Sequence, residues 1–129
     1  VAVPAFVYFA PFAASRKGGC SCIQAAEETM LTVIAKVRAK PGCEREVEAE
    51  LRKLVEATRR EDGCLNYDLH RSQTEPAVFL FYENWTSRAA LDAHAASAHM
   101  KAWGARQPGL LAHAVEISLY EMISDAPWM

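Results

Sequence analysis

The chain of 129 residues has no apolar run approaching the roughly 20 residues that a helix needs to span a bilayer, so it reads as soluble, without a membrane partner. It has no excess of one charge either. Its formal net charge is -2, and its basic residues are interleaved with acids, as in EREVEAELRKLVEATRRED. That run reads as a solvated helix face and offers no field for nucleic acid. The phosphate-cradling patterns G-x-G-x-x-G and G-x-x-x-x-G-K-S/T are both missing, which removes support for a bound nucleotide or flavin. Cys20, Cys22, Cys43 and Cys64 lack the spacing of a zinc site and read as reduced thiols of a cytoplasmic protein. Cys64 has no histidine near it in sequence, which favours a small buried residue over a nucleophile. What is present, 51% hydrophobic and 23% charged residues, suits one globular domain.

Residues 1–29 carry two prolines within a small-and-aromatic run and show no periodicity. Arg16 and Lys17 follow that apolar run, the reverse of a secretory signal. We expect a poorly ordered extension ahead of a domain spanning 30–129; the alternative is an arm that packs on a partner subunit. From Leu31 to Ala39, Leu31, Val33, Ala35 and Val37 alternate with Thr32, Ile34, Lys36 and Arg38, which predicts a strand closed by Lys40-Pro41-Gly42. Val47, Leu51, Leu54, Val55 and Thr58 then recur at helical spacing. Acids come first and Arg59 and Arg60 last, matching the helix dipole, and Asp62-Gly63 ends the helix. A second strand runs from Cys64 to Ser72, with Leu65, Tyr67 and Leu69 on one side. The polar loop QTEPA turns the chain back into a third, Val78 to Trp85. Thr86 or Ser87 caps an Ala-rich helix that Pro108-Gly109 breaks, and a last strand runs from about Ala112 to Met122.

The order β-α-β-β-α-β is the split βαβ arrangement of a ferredoxin-like α+β fold, whose helices cover one sheet face. The third strand is nevertheless apolar on both alternations, Val78, Leu80, Tyr82 and Phe79, Phe81, Trp85, and Ile34 stands on the second face of the first strand. Apposing two such sheets would cover that face, so a homodimer is expected. Glu83 shares its side with Phe81 and Trp85. A carboxylate among aromatics on a doubly covered strand must find a partner or take up a proton.

The segments EDGCLNYDLHRS, FLFYENW and LDAHAASAH, in that order and separation, resemble the antibiotic biosynthesis monooxygenase family, including its quinol-monooxygenase-like members, over about residues 30–122. The resemblance implies a dimeric α+β barrel with a pocket between sheet and helices in each subunit. It also implies the chemistry: some members oxidise aromatic or quinol substrates with dioxygen and no bound cofactor, while others are isomerases or degrade heme. The positions matching the pattern are Gly63, Cys64, Tyr67, Trp85, His94, Ser97 and His99. Heme-degrading members carry an asparagine on the first strand, and LTVIAKVRA has none.

His94 and His99 are five residues apart, about 140° around a continuous helix, and cannot share a metal unless the helix breaks between them. We therefore expect neither metal nor cofactor. Either histidine suits a general base acting on a phenol, with Glu83 as a third candidate. The expected function is a cofactor-independent monooxygenase that oxidises a small quinol or phenol with dioxygen. Its expected catalytic groups are His94, His99 and Glu83, and its substrate-binding groups Tyr67, Trp85 and Phe81. The alternatives are an isomerase or other proton-transfer enzyme on a small carbonyl compound, and a non-catalytic small-molecule-binding module.

Overall fold

A computed structural model of the protein describes residues 29–125, so the expected extension at 1–29 lies outside the described residues except for Thr29. The elements are β1 (Leu31–Arg38), α1 (Glu44–Thr58), β2 (Cys64–Arg71), β3 (Val78–Trp85), α2 (Arg88–Ala95), α3 (Ala98–Leu110) and β4 (Glu116–Tyr120). The strands pair antiparallel in the order β2-β3-β1-β4, as a ferredoxin-like α+β fold requires. Odd-numbered residues of β1 and β3 face the helices: Val33, Ala35, Val37, Phe79, Phe81 and Trp85 pack with Tyr67 of β2 against Val47 and Leu51 of α1, Leu91 of α2, and Met100 and Trp103 of α3. Each large apolar side chain buried there contributes about 1.5–3 kcal/mol. No helix among the described residues is long and apolar enough to cross a membrane.

Three local features depart from the alternation read in the sequence. A bulge between Cys64 and Asn66 shifts the β2–β3 register, so Cys64 pairs with Trp85 while Tyr67 pairs with Glu83. The extra residue, Leu65, is turned out to 43% exposure instead of lying beside Tyr67. Pro108 does not stop α3 at once; it is accommodated in the last turn, and the helix runs to Leu110. Leu111 then bridges to Ala39, and β4 is confined to Glu116–Tyr120, shorter than the expected strand.

The third departure decides the site. The second helix is two helices, because Ser97 is extended (φ -70°, ψ 160°) between α2 and α3. Its Oγ donates to the carbonyl of His94 at 2.6 Å and accepts from the amide of Met100 at 3.4 Å. One hydroxyl thus adds a second bond to the His94 carbonyl, which also accepts from the amide of Ser97 at 3.0 Å, and satisfies an open amide at the start of α3. Ser87, of the two caps considered, starts α2 by accepting from the amide of Ala90.

On the other sheet face Ile34, Leu80 and Tyr82 are half-buried and Tyr120 is exposed. These apolar groups flank a polar ladder: Thr32 donates to Asn84, Asn84 to Asn66 at 2.9 Å, and Asn66 to Asp68 at 3.1 Å. That face is mixed, not uniformly apolar.

Candidate active site

The turn after α1 is pressed against the start of α2. Gly63 has φ +86°, and a Cβ there would stand 2.5 Å from Cβ of Ala90 and 2.9 Å from Oγ1 of Thr86. Only glycine combines that left-handed conformation with so close an approach. The amide of Thr86 donates to the carbonyl of Gly63 at 2.9 Å, which ties the turn to the end of β3. Two residues before the glycine, Glu61 is thereby held beside the junction of α2 and α3.

At that junction the helix break brings together the two histidines that a continuous helix would have separated. His94 is fully buried, and its Nδ1 lies 3.0 Å from Oε2 of Glu61; Nε2 of His99 lies 2.6 Å from the same oxygen. Burial alone would raise the pKa of Glu61. The hydrogen bond and charge of His94, followed by those of His99, outweigh it and hold the carboxyl below its ordinary value. An ionised carboxylate only accepts, so Nδ1 of His94 and Nε2 of His99 are the protonated nitrogens. With that proton on Nδ1, Nε2 is the acceptor atom of the His94 ring whenever the ring is neutral. The donor atoms of Glu61, His94 and His99 all lie within 4.8 Å of one another. This is a set that could hold a metal ion, and the objection drawn from a continuous helix does not apply.

The aromatic residues close on His94 from the sheet. Its ring centroid is 4.7 Å from that of Trp85 and 5.4 Å from that of Tyr67, and Tyr67 lies 4.6 Å from Phe81. The structure therefore brings Trp85, Tyr67, Phe81 and His94 into one cluster, with His99 at its edge. It does so as a packed cluster, since Trp85, Tyr67, Phe81 and His94 are all buried. A groove of about 470 Å³ lies elsewhere, between α1 and β2, with Val55, Leu69 and Phe79 in its lining and Arg52, Arg59 and Arg71 among its charges.

Glu83 stands opposite Tyr67 in the β2–β3 register and is wholly buried. Its Oε1 accepts from the indole N–H of Trp85 at 2.9 Å, and Oε2 has no hydrogen-bond partner among the described residues. Burial pushes its pKa up to about 8; the Trp85 bond opposes that rise and the negative charge of Glu61 adds to it. Glu83 thus has a partner and also takes up a proton near neutrality. Burial, with the charges of Glu61 and Glu83, pushes the Cys64 thiol up to about 11, so it stays protonated and unreactive, as its small-residue reading requires.

Sequence reasoning missed Glu61, which it left inside a charge run read as a solvated face. The available signal was its place two residues before Gly63, in a turn that must dock tightly.

The sequence profile of the family described as "Antibiotic biosynthesis monooxygenase" matches residues 30–106. The protein sll1783 of Synechocystis is 34% identical over 92 residues, 71% of this chain and 63% of the relative, so the chain spans less than two thirds of that relative's length. Rv0793 of Mycobacterium tuberculosis is 33% identical over 96 residues, 74% of this chain and 94% of the relative. Its solved structure superposes with a TM-score of 0.72 at 31% identity, covering 76% of this chain and 99% of the other. An Escherichia coli relative named "Probable quinol monooxygenase YgiN" is 33% identical over 84 residues, 57% of this chain and 81% of its own length.

Proposed function

The chain belongs to the antibiotic biosynthesis monooxygenase family, and from that premise we propose that it is a cofactor-independent monooxygenase that oxidises a small quinol or phenol with dioxygen. The observation that carries this reading is the Glu61–His94 pair set against the rings of Trp85 and Tyr67. Glu61 fixes the proton on Nδ1 of His94, so Nε2 is the atom that takes the phenolic proton. Trp85, Tyr67 and Phe81 supply the apolar, water-poor surface on which an aromatic ring stacks. His99 shares the carboxylate and steadies it. Protonated Glu83 lies behind Trp85 as the proton donor.

The chemistry needs no outside reductant. Once deprotonated, the electron-rich ring carbon forms a bond to dioxygen and gives a hydroperoxide after proton return. Loss of water then leaves a new carbonyl oxygen on the ring. A quinol plus dioxygen becomes a hydroxyquinone plus water, and every electron that reduces the oxygen comes from the substrate. The protein supplies desolvation, orientation and proton transfer. Because the cluster is closed, binding requires it to open locally. Glu61 and His99, whose side chains keep 17% and 26% exposure, mark the side from which it does so.

The same reading includes a homodimer built on the second sheet face, supported by Ile34, Leu80 and Tyr82, and a reduced cytoplasmic setting. Glu83 favours a second reading: an acid that keeps its proton near neutral pH, set across the Trp85 ring from His94, also suits an isomerase acting on a small carbonyl compound. Oxygen uptake by metal-free protein across a panel of quinols, with autoxidation subtracted, separates the two. Uptake that falls by about 100-fold or more in His94→Ala, the usual scale of general-base catalysis, is the expected result. Absence of uptake together with deuterium exchange into a carbonyl substrate would establish the isomerase instead. Unchanged uptake in both His94→Ala and Trp85→Ala would remove the site from this cluster.

A further inference from the structure

We propose that Glu61, His94 and His99 bind one divalent transition-metal ion, zinc above all, and that this ion switches off the base at His94. The first half stands on ligand geometry alone; the second rests on the base assignment made above.

The three donors come from three different places, the turn after α1, the end of α2 and the first turn of α3, and the fold alone brings them within 4.8 Å. Two imidazole nitrogens and one carboxylate oxygen are the donor set of a zinc site that keeps an open position for water, and they suit the hard cations magnesium and calcium poorly. Oε2 of Glu61 already lies 3.0 Å from Nδ1 of His94 and 2.6 Å from Nε2 of His99. An ion with bonds of about 2.0–2.2 Å holds neighbouring tetrahedral ligands roughly 3.4 Å apart, so the carboxylate must retreat by less than about 1 Å and the two imidazole nitrogens, now within 4.8 Å, must close by at most about 1.4 Å.

Access and support are also present. Glu61 and His99 are partly exposed, which gives an ion and its water a route from solvent, while buried His94 closes the back. Ser97 bonds the carbonyl of His94 and lies 3.3 Å from Nε2 of His99, so the backbone that aims both rings is held before any ion arrives.

Ligation through Nδ1 moves the proton of the neutral His94 ring to Nε2. That is the atom that must accept the phenolic proton, so the ion and the base function exclude each other.

The test uses the full chain stripped with a chelator. Zinc is titrated by calorimetry, and cobalt(II) by its visible absorption. One ion per chain is expected, with binding at least about 10-fold weaker in Glu61→Gln and in His99→Ala and unchanged in Cys20→Ser/Cys22→Ser, His70→Ala and His113→Ala. His99→Ala alters a partly exposed side chain and decides the matter should Glu61→Gln fail to fold. No binding below millimolar zinc, or binding that His99→Ala leaves intact, overturns the site. Nitrogen-15 spectra of the imidazoles read the switch without any substrate: zinc should leave His94 ligated at Nδ1 and protonated at Nε2. Ligation at Nε2, or a His94 spectrum that zinc does not change, overturns the switch, whether or not quinol oxidation is found.

Discussion

Replacing Glu83 by glutamine should change how stability depends on pH far more than it changes stability at low pH. The ordinary carboxyl value of 4.5 applies to the unfolded chain, and the folded value is about 8. Below pH 4.5 the group is protonated in both states and contributes no difference. Between pH 4.5 and 8 the unfolded chain releases the proton and the folded chain keeps it, so stability falls as pH rises. A gap of ~3.5 units at about 1.36 kcal/mol each amounts to ~5 kcal/mol by pH 8, of the same order as the whole stability of a small domain. Glutamine keeps an acceptor for the indole N–H of Trp85. It also places one donor group where the neutral acid already places one, so its offset at low pH should be small. Urea unfolding of both proteins from pH 4.5 to 8.5 checks this. The variant should match the parent near pH 4.5 and exceed it by several kcal/mol near pH 8. Parallel stability curves across that range would refute a protonated, desolvated Glu83.

Gly63→Ala should lower stability by about 2–4 kcal/mol, combining a left-handed backbone with overpacking against Ala90; a urea unfolding change under about 0.5 kcal/mol would contradict the close approach. Ser97→Ala should cost about 1 kcal/mol in the same assay and should also lower quinol turnover, since it frees the amide of Met100 and leaves the carbonyl of His94 with only its bond from the residue 97 amide; equal turnover would show that the hydroxyl does not aim the histidines. Light scattering at micromolar concentration should find a dimer both for the full chain and for a version beginning at residue 30. A monomer in both cases refutes apposed sheets, and a dimer lost only on truncation assigns the interface to residues 1–29.

The elements that bury a repeating face were legible from the chain alone. Period-two alternation in LTVIAKVRA and the 3.6-residue spacing of Val47, Leu51 and Leu54 are set by burial on one side, while VFLFYENW, apolar on both alternations, is buried or half-buried along its whole length. Residues whose role depends on a turn carry no such period. Leu65 alternates correctly with Tyr67 in sequence and is turned outward only because a bulge adds a residue to β2. Glu61 could be told from the other acids of its run only by knowing that Gly63 lets the turn approach Ala90 so closely that any Cβ there would stand 2.5 Å from the Cβ of Ala90. The meeting of His94 and His99 at Glu61 depends on a balance that propensity cannot decide. An unbroken helix through AHAASAHM is favoured by its alanines, each of which is a better helix former than serine by a few tenths of a kcal/mol. Against it stand one serine cap of about 1 kcal/mol and the tertiary gain of turning buried His94 toward Glu61 while α3 sets Met100 and Trp103 into the core. The margin is small and the second contribution is long-range, so Glu61, His94 and His99 meet because packing, not local preference, chose the break.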